Sequence, residues 1–229
     1  MVRPSLCMSC AIAALSAVGA AQPALATDDD TQLWMSATAS GPVHGKWLAS
    51  MDVQQRAYDN MSRLANTQVR GAIGYRVRPW ADVYTGYLHA ITRRPGASDA
   101  NEDRFFGQVS LTPIATGPIR VATRSRLEAR WMSTAPGMGL RFRQQVRVIH
   151  PLGSAMAPYL GVSGEIMFHL KETAWGARRG LEQTRAAAFV GLPVTKTMSV
   201  EVGYLNQYQH RAGIDGDNGA LTLAFIGRF

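Results

Sequence analysis

The stretch Ile119-Arg120-Val121-Ala122-Thr123-Arg124-Ser125-Arg126-Leu127-Glu128-Ala129-Arg130-Trp131 alternates residue by residue. Its odd positions are apolar or small: Ile119, Val121, Thr123, Ser125, Leu127, Ala129 and Trp131. Its even positions include Arg120, Arg124, Arg126, Glu128 and Arg130. A β-strand sends successive side chains to opposite faces, so this segment presents one apolar face and one ladder of guanidinium groups with a single carboxylate. On a helix, charges at i, i+2 and i+4 would be scattered around the circumference, and no amphipathic stripe would form.

The same period recurs to either side. Leu140, Phe142, Val146 and Val148 alternate with Arg141, Arg143, Gln145 and Arg147, with Gln144 interrupting the apolar set. Leu160, Val162, Ile166, Phe168 and Leu170 oppose Ser163, Glu165, His169 and Lys171. Val69, Ile73, Tyr75 and Val77 oppose Gln68, Arg70, Arg76 and Arg78. Extended over the chain, the reading gives segments near 31–40, 46–57, 65–78, 82–94, 103–114, 119–134, 138–150, 157–171, 181–194, 198–210 and 218–229. Turn chemistry separates them, as at Gly41-Pro42, Arg78-Pro79, Gly117-Pro118, Pro151-Leu152-Gly153 and Asp215-Gly216-Asp217-Asn218-Gly219. Short turns after residues 78, 114 and 194 alternate with longer loops at 95–102, 172–180 and 211–218.

Residues 1–26 read as a signal peptide rather than as part of the fold. Arg3 supplies the positive start, Ala11 to Ala21 a short apolar stretch, and Ala24-Leu25-Ala26 a cleavage site. A single barrel domain then covers 27–229, which is 203 of the 229 residues. Cys7 and Cys10, the only cysteines, fall in the leader, so the exported domain has no disulfide, thiol nucleophile or cysteine metal site. The formal charge of +8 becomes +7 without Arg3. Export separates that charge from nucleic acid, which is excluded as a partner. Charged residues make up only 17%, below the roughly 25% of soluble domains.

Long alternating strands suit either a soluble sandwich or lipocalin-like barrel, with the arginines in water, or a membrane barrel, with the arginines inside. Segments of 10–16 residues exceed ordinary soluble strands and suffice to cross a bilayer at a tilt. Aromatics near segment ends (Trp34, Trp47, Trp80, Tyr84, Trp131, Tyr159, Tyr204, Tyr208) suggest interfacial girdles. Leu221, Leu223, Phe225 and the final Phe229 share one parity and resemble the C-terminal signal of outer-membrane barrels. The expected fold is therefore an all-β, transmembrane, up-and-down antiparallel barrel in the outer membrane of a Gram-negative bacterium. Eleven segments would put the chain ends on opposite sides. Twelve strands are therefore expected, with ten as the next choice, either through a further N-terminal strand or with 31–40 outside the wall.

Five phrases carry a family resemblance: Arg124-Ser125-Arg126-Leu127-Glu128-Ala129-Arg130, Leu140-Arg141-Phe142-Arg143, Gly164-Glu165-Ile166-Met167-Phe168, Gly180-Leu181-Glu182-Gln183-Thr184-Arg185 and Glu201-Val202-Gly203-Tyr204-Leu205-Asn206-Gln207. The chain resembles the bacterial outer-membrane β-barrel family catalogued as domain of unknown function 2490, from Gln32 to the end. Leu181-Glu182 and Thr184 depart from the family's usual tract. The resemblance implies fold and location and supplies no activity.

With the apolar face outward, the expected lumen network comprises Arg70, Arg76, Arg120, Arg124, Arg126, Glu128, Arg130, Arg141, Arg143, Arg147, Glu165, Arg185 and Glu201. Asp52, Gln54, Arg56, Arg78, Arg104, His169, Lys171, Gln183, Gln207 and Gln209 share the inward face. Two functions follow. Glu128, Glu165 and Glu201 could grip neighbouring arginines and plug the barrel, or the positive excess could line a narrow anion-preferring channel. The alternative is an outer-membrane hydrolase acting on lipid or ester. Ser163 and His169, however, stand about 20 Å apart along one strand, so no catalytic residue is assigned and a non-enzyme is expected. Asp28-Asp29-Asp30 and Asp215 to Gly219 read as solvated segments, so no metal or cofactor is expected. The expected partners are outer-membrane lipid and lipopolysaccharide, the barrel assembly machinery and small anions.

Overall fold

The computed structural model describes residues 28–114, 118–153 and 156–229. The signal peptide read over 1–26 lies outside these residues. Eleven strands follow one another: β1 (Asp28–His44), β2 (Trp47–Tyr58), β3 (Arg63–Arg78), β4 (Ala81–Thr92), β5 (Ala100–Ile114), β6 (Arg120–Met132), β7 (Ala135–Pro151), β8 (Tyr159–His169), β9 (Gly180–Pro193), β10 (Met198–Gln209) and β11 (Gly216–Arg228). Each pairs antiparallel with the next, and the meander closes into a barrel through β1 and β11. Every strand coincides with one of the alternating segments.

The count corrects the expectation of twelve or ten. Residues 31–40 do join the wall, as part of β1. An odd meander leaves its first and last strands running the same way, and closure then requires one parallel pair. β1 and β11 make it, in unbroken register from Asp28↔Gly216 to Ser40↔Arg228. Asp28 consequently lies at the end of the barrel that carries the 93–99, 170–179 and 210–215 connections (the loop end), and Phe229 at the other (the tail end). The alternation of connection lengths is looser than expected. The loop end also carries the two-residue turn 133–134, and the tail end the longer connection 152–158.

Side chains sort by parity. Val69, Ile73, Val109, Leu127, Val146, Val162, Val190, Val202 and Leu221 are exposed on the outside of the barrel. The outward aromatics form two groups. Trp47 and Tyr75 pack edge to face near the tail end, where Trp80 and Phe229 are also exposed. Tyr87, Phe105 and Trp131 form a ladder across β4–β6 near the loop end, with centroids 5.0 and 6.1 Å apart. Three of the expected girdle residues turn inward instead. Trp34 is 4% exposed inside the barrel, Tyr84 shares its parity with buried Leu88 and Ala90, and Tyr159 reaches Glu201. Gln144 does face outward among apolar neighbours. It accepts from Ser125 and donates to Thr123, so its amide is satisfied within the wall.

Candidate functional site

The inward face of β5–β9 holds the densest charge. Glu128, 1% exposed, receives Nε and Nη2 of Arg141 at 2.8 and 2.5 Å and Nη1 of Arg143 at 3.1 Å. Glu165 receives Arg143 at 2.8 Å, Arg124 at 3.0 Å and Arg185 at 3.4 Å. Strand pairing dictates these partners. Glu128 lies opposite Arg141, and Glu165 lies opposite Arg185. Arg143 sits between the two carboxylates and ties them together. Charge-assisted, multidentate contacts of this kind offset the cost of keeping ions out of bulk water.

Toward the loop end, Glu102 binds Arg130 Nε at 2.5 Å and Arg104 Nη2 at 2.6 Å. Glu182 meets Arg141 Nη1 at 3.0 Å, Arg130 Nη1 at 3.3 Å and His169 Nε2 at 3.3 Å. Neither glutamate was among the expected network. Glu102 shares the parity of Arg104 but precedes the segment read from 103 onward, so the signal lay in the alternation. Glu182 breaks parity. Met167 pairs with Gln183 and Phe168 with Leu181, so Glu182 is the extra residue of a β-bulge, which turns it inward.

Toward the tail end, Arg147 pairs with Glu201, whose carboxylate also accepts from the Tyr159 hydroxyl at 2.6 Å. The opposite wall is mostly amide. Arg56 donates to Gln54 Oε1 at 3.0 and 2.6 Å and lies 3.8 Å over the Trp34 ring. The Arg185 guanidinium also lies over Trp34, at 5.0 Å. Arg70 approaches Asp52 only at 3.5 Å, and its Nε has no hydrogen-bond partner. Arg126 donates to Gln108 and stacks on Phe106.

Of the thirteen expected network residues, Arg70, Arg124, Arg126, Glu128, Arg130, Arg141, Arg143, Arg147, Glu165, Arg185 and Glu201 converge inside the barrel. Arg76 stands at the tail-end rim, where it forks onto Asp82, and Arg120 lines the tail-end mouth. With Arg56 and Arg104 added, the interior holds ten arginines among the described residues. Against them stand six carboxylates: Asp52, Glu102, Glu128, Glu165, Glu182 and Glu201. A surplus of four positive charges remains, smaller than the sequence suggested. Ser163 lines the central cavity and His169 is held by Glu182, so the two do not form a catalytic pair. No cluster of three metal-ligating side chains occurs among the described residues.

Three cavities lie along the axis. A loop-end vestibule of about 560 Å³ and a central chamber of about 430 Å³ share Arg130, Glu182 and Gln209 in their linings. The central chamber and a tail-end mouth of about 420 Å³ share Arg147. The loop 170–179 folds over the vestibule. Trp175 donates Nε1 to Gly137 O at 3.0 Å, packs edge-on to His169, and lies against Gly139, where any side chain would collide with its ring.

The profile of the family described as "Protein of unknown function (DUF2490)" matches residues 31–218. An uncharacterised protein of Methylorubrum extorquens is 30% identical over 203 residues, covering 87% of this chain and 88% of that protein. Among solved structures, the porin NanC superposes with a TM-score of 0.54 at 12% identity, covering 87% of this chain and 99% of the porin. At that identity the likeness is one of fold.

Proposed function

The chain belongs to the DUF2490 family, and from that premise we propose that it is an outer-membrane channel whose arginine-lined lumen passes small anions. The observation that carries this reading is the row of three cavities, each joined to the next by shared lining residues. Two necks divide the row. One is Glu182 with Arg130 and Arg141, and the other is Arg147 with Glu201 and Tyr159. Ion pairs narrow the path, and the net surplus of four positive charges favours anions within it.

Membrane insertion is supported by an outward face that is apolar on every side, by aromatic groups near both ends, and by strands of 11 to 17 residues. A porin of like fold agrees with it. In this setting the outward Leu221, Leu223, Phe225 and Phe229 meet lipid and serve the assembly machinery as a recognition strand. Single-channel recording of the refolded protein in a planar bilayer tests the proposal. Small current steps with an anion-selective reversal potential in a salt gradient are expected. A folded protein that inserts but never conducts would instead support a barrel sealed by its ion pairs.

A further inference from the structure

Among the interior carboxylates, Glu182 has the most exposed side chain. Its side chain is 21% exposed, against 1% for Glu128, 5% for Glu165 and 9% for Glu102. It stands on a bulge rather than in the regular ladder, and its closest guanidinium contact is 3.0 Å, where Glu102 and Glu128 reach 2.5 Å. It also borders two chambers at once. Its three partners, Arg130, Arg141 and His169, come from β6, β7 and β8 and converge on one carboxylate position.

We propose that Arg130, Arg141 and His169 form a carboxylate-binding site at the loop-end mouth, which Glu182 occupies as a displaceable internal counter-ion. The solute is a small monocarboxylate carrying one flat apolar ring. The vestibule beside the site supplies the ring's surroundings in Trp175, Met132 and Leu181, and its size suits a ligand of that class. When the solute's carboxylate takes the position, Glu182 swings toward Arg178 and Arg179, which line the same vestibule. The exchange trades one carboxylate for another on the same guanidinium forks, so no buried positive charge is left bare. This deepens the channel reading and rests on it, because it makes the loop-end neck the point of solute selection.

Isothermal titration calorimetry on the refolded full-length barrel tests this without requiring any current, with benzoate, acetate and benzamide as probes. Benzoate should bind at least about tenfold tighter than acetate, and neutral benzamide should not compete. Glu182→Gln should tighten benzoate binding, because the internal competitor has lost its charge. Glu182→Asp, which keeps the charge but shortens the side chain, should do the same and serves if the amide variant does not fold. Trp175→Ala should abolish the difference between benzoate and acetate, and Arg76→Ala, at the far rim, should change nothing. Benzamide binding as well as benzoate would overturn the site, as would weaker benzoate binding in both Glu182 variants or an undiminished preference in Trp175→Ala. A barrel that binds benzoate yet never conducts refutes the channel and leaves the site standing. One that conducts without binding benzoate does the reverse.

Discussion

Glu128 and Arg141 face one another across the β6–β7 pair, and two nitrogens of a single guanidinium close on one carboxylate oxygen. Arg143 takes the other oxygen at 3.1 Å. Both acceptor atoms are thus engaged at a position sealed from solvent. Removing Glu128 takes the carboxylate from between two buried cations, leaving Arg141 with Glu182 alone and Arg143 with Glu165 alone.

Glu128→Ala should therefore destabilise the barrel by about 3–5 kcal/mol, the usual effect of stripping one partner from a buried pair. Asp82→Ala, which breaks the Arg76 pair at the rim, should cost less than about 1 kcal/mol. Urea unfolding followed by tryptophan fluorescence compares the two. Equal losses would mean that the interior network does not hold the strands together.

Leu127 is half exposed on the outside of β6, close to the middle of the strand. If that surface meets hydrocarbon, Leu127→Arg costs about 2–4 kcal/mol in lipid vesicles. At an ordinary water-exposed site the same change stays within about 0.5 kcal/mol. A vesicle measurement at the lower figure would rule out the membrane-spanning reading.

At the tail-end neck, Arg147→Ala should widen the path and raise the unitary current while lowering anion selectivity. Glu201 would keep Tyr159 as a partner but lose its counter-charge, so a stability loss of about 1–3 kcal/mol should accompany the change. An unaltered current and reversal potential would place the limiting constriction elsewhere.

The β1–β11 pair is the one parallel ladder in the wall, and parallel pairing is slightly weaker per residue than antiparallel. Amide hydrogen exchange should be faster along Gln32–Ala37 and Ala220–Phe225 than along β6 and β7, on the order of tenfold. Uniform protection around the barrel would show that the seam is no weaker than the rest.

Much of this was readable from alternation alone, because a strand's side chains can only go to one face or the other. The ladder from Arg120 to Arg130 fixed which residues would share an interior before any pairing was known. Trp34 was also accessible in principle, since it shares its parity with Gln32, Ser36 and Thr38 rather than with the outward Leu33 and Met35. Its position near a segment end drew the girdle reading instead. Glu182 was not accessible, because a bulge resets parity and leaves no mark in composition. The strand number is illegible for a different reason. All eleven segments can be read locally, but nothing in a local pattern says how a sheet closes on itself.

The parallel seam has a consequence for how the chain can be rewired. In an even-numbered meander the first and last strands meet at one rim, and a few residues could join them and reopen the chain elsewhere. Here the end of β11 and the start of β1 stand at opposite rims. A joining peptide would have to travel the height of the wall, roughly 30–40 Å for strands of this length. It would run either down the lumen through the arginine necks or along the outer surface. Circular permutation through a short joint is therefore closed to the protein, and because β1 and β11 are already paired, a wall-spanning linker would find no place between them. The odd wall is one crossing short of a fold whose ends could meet.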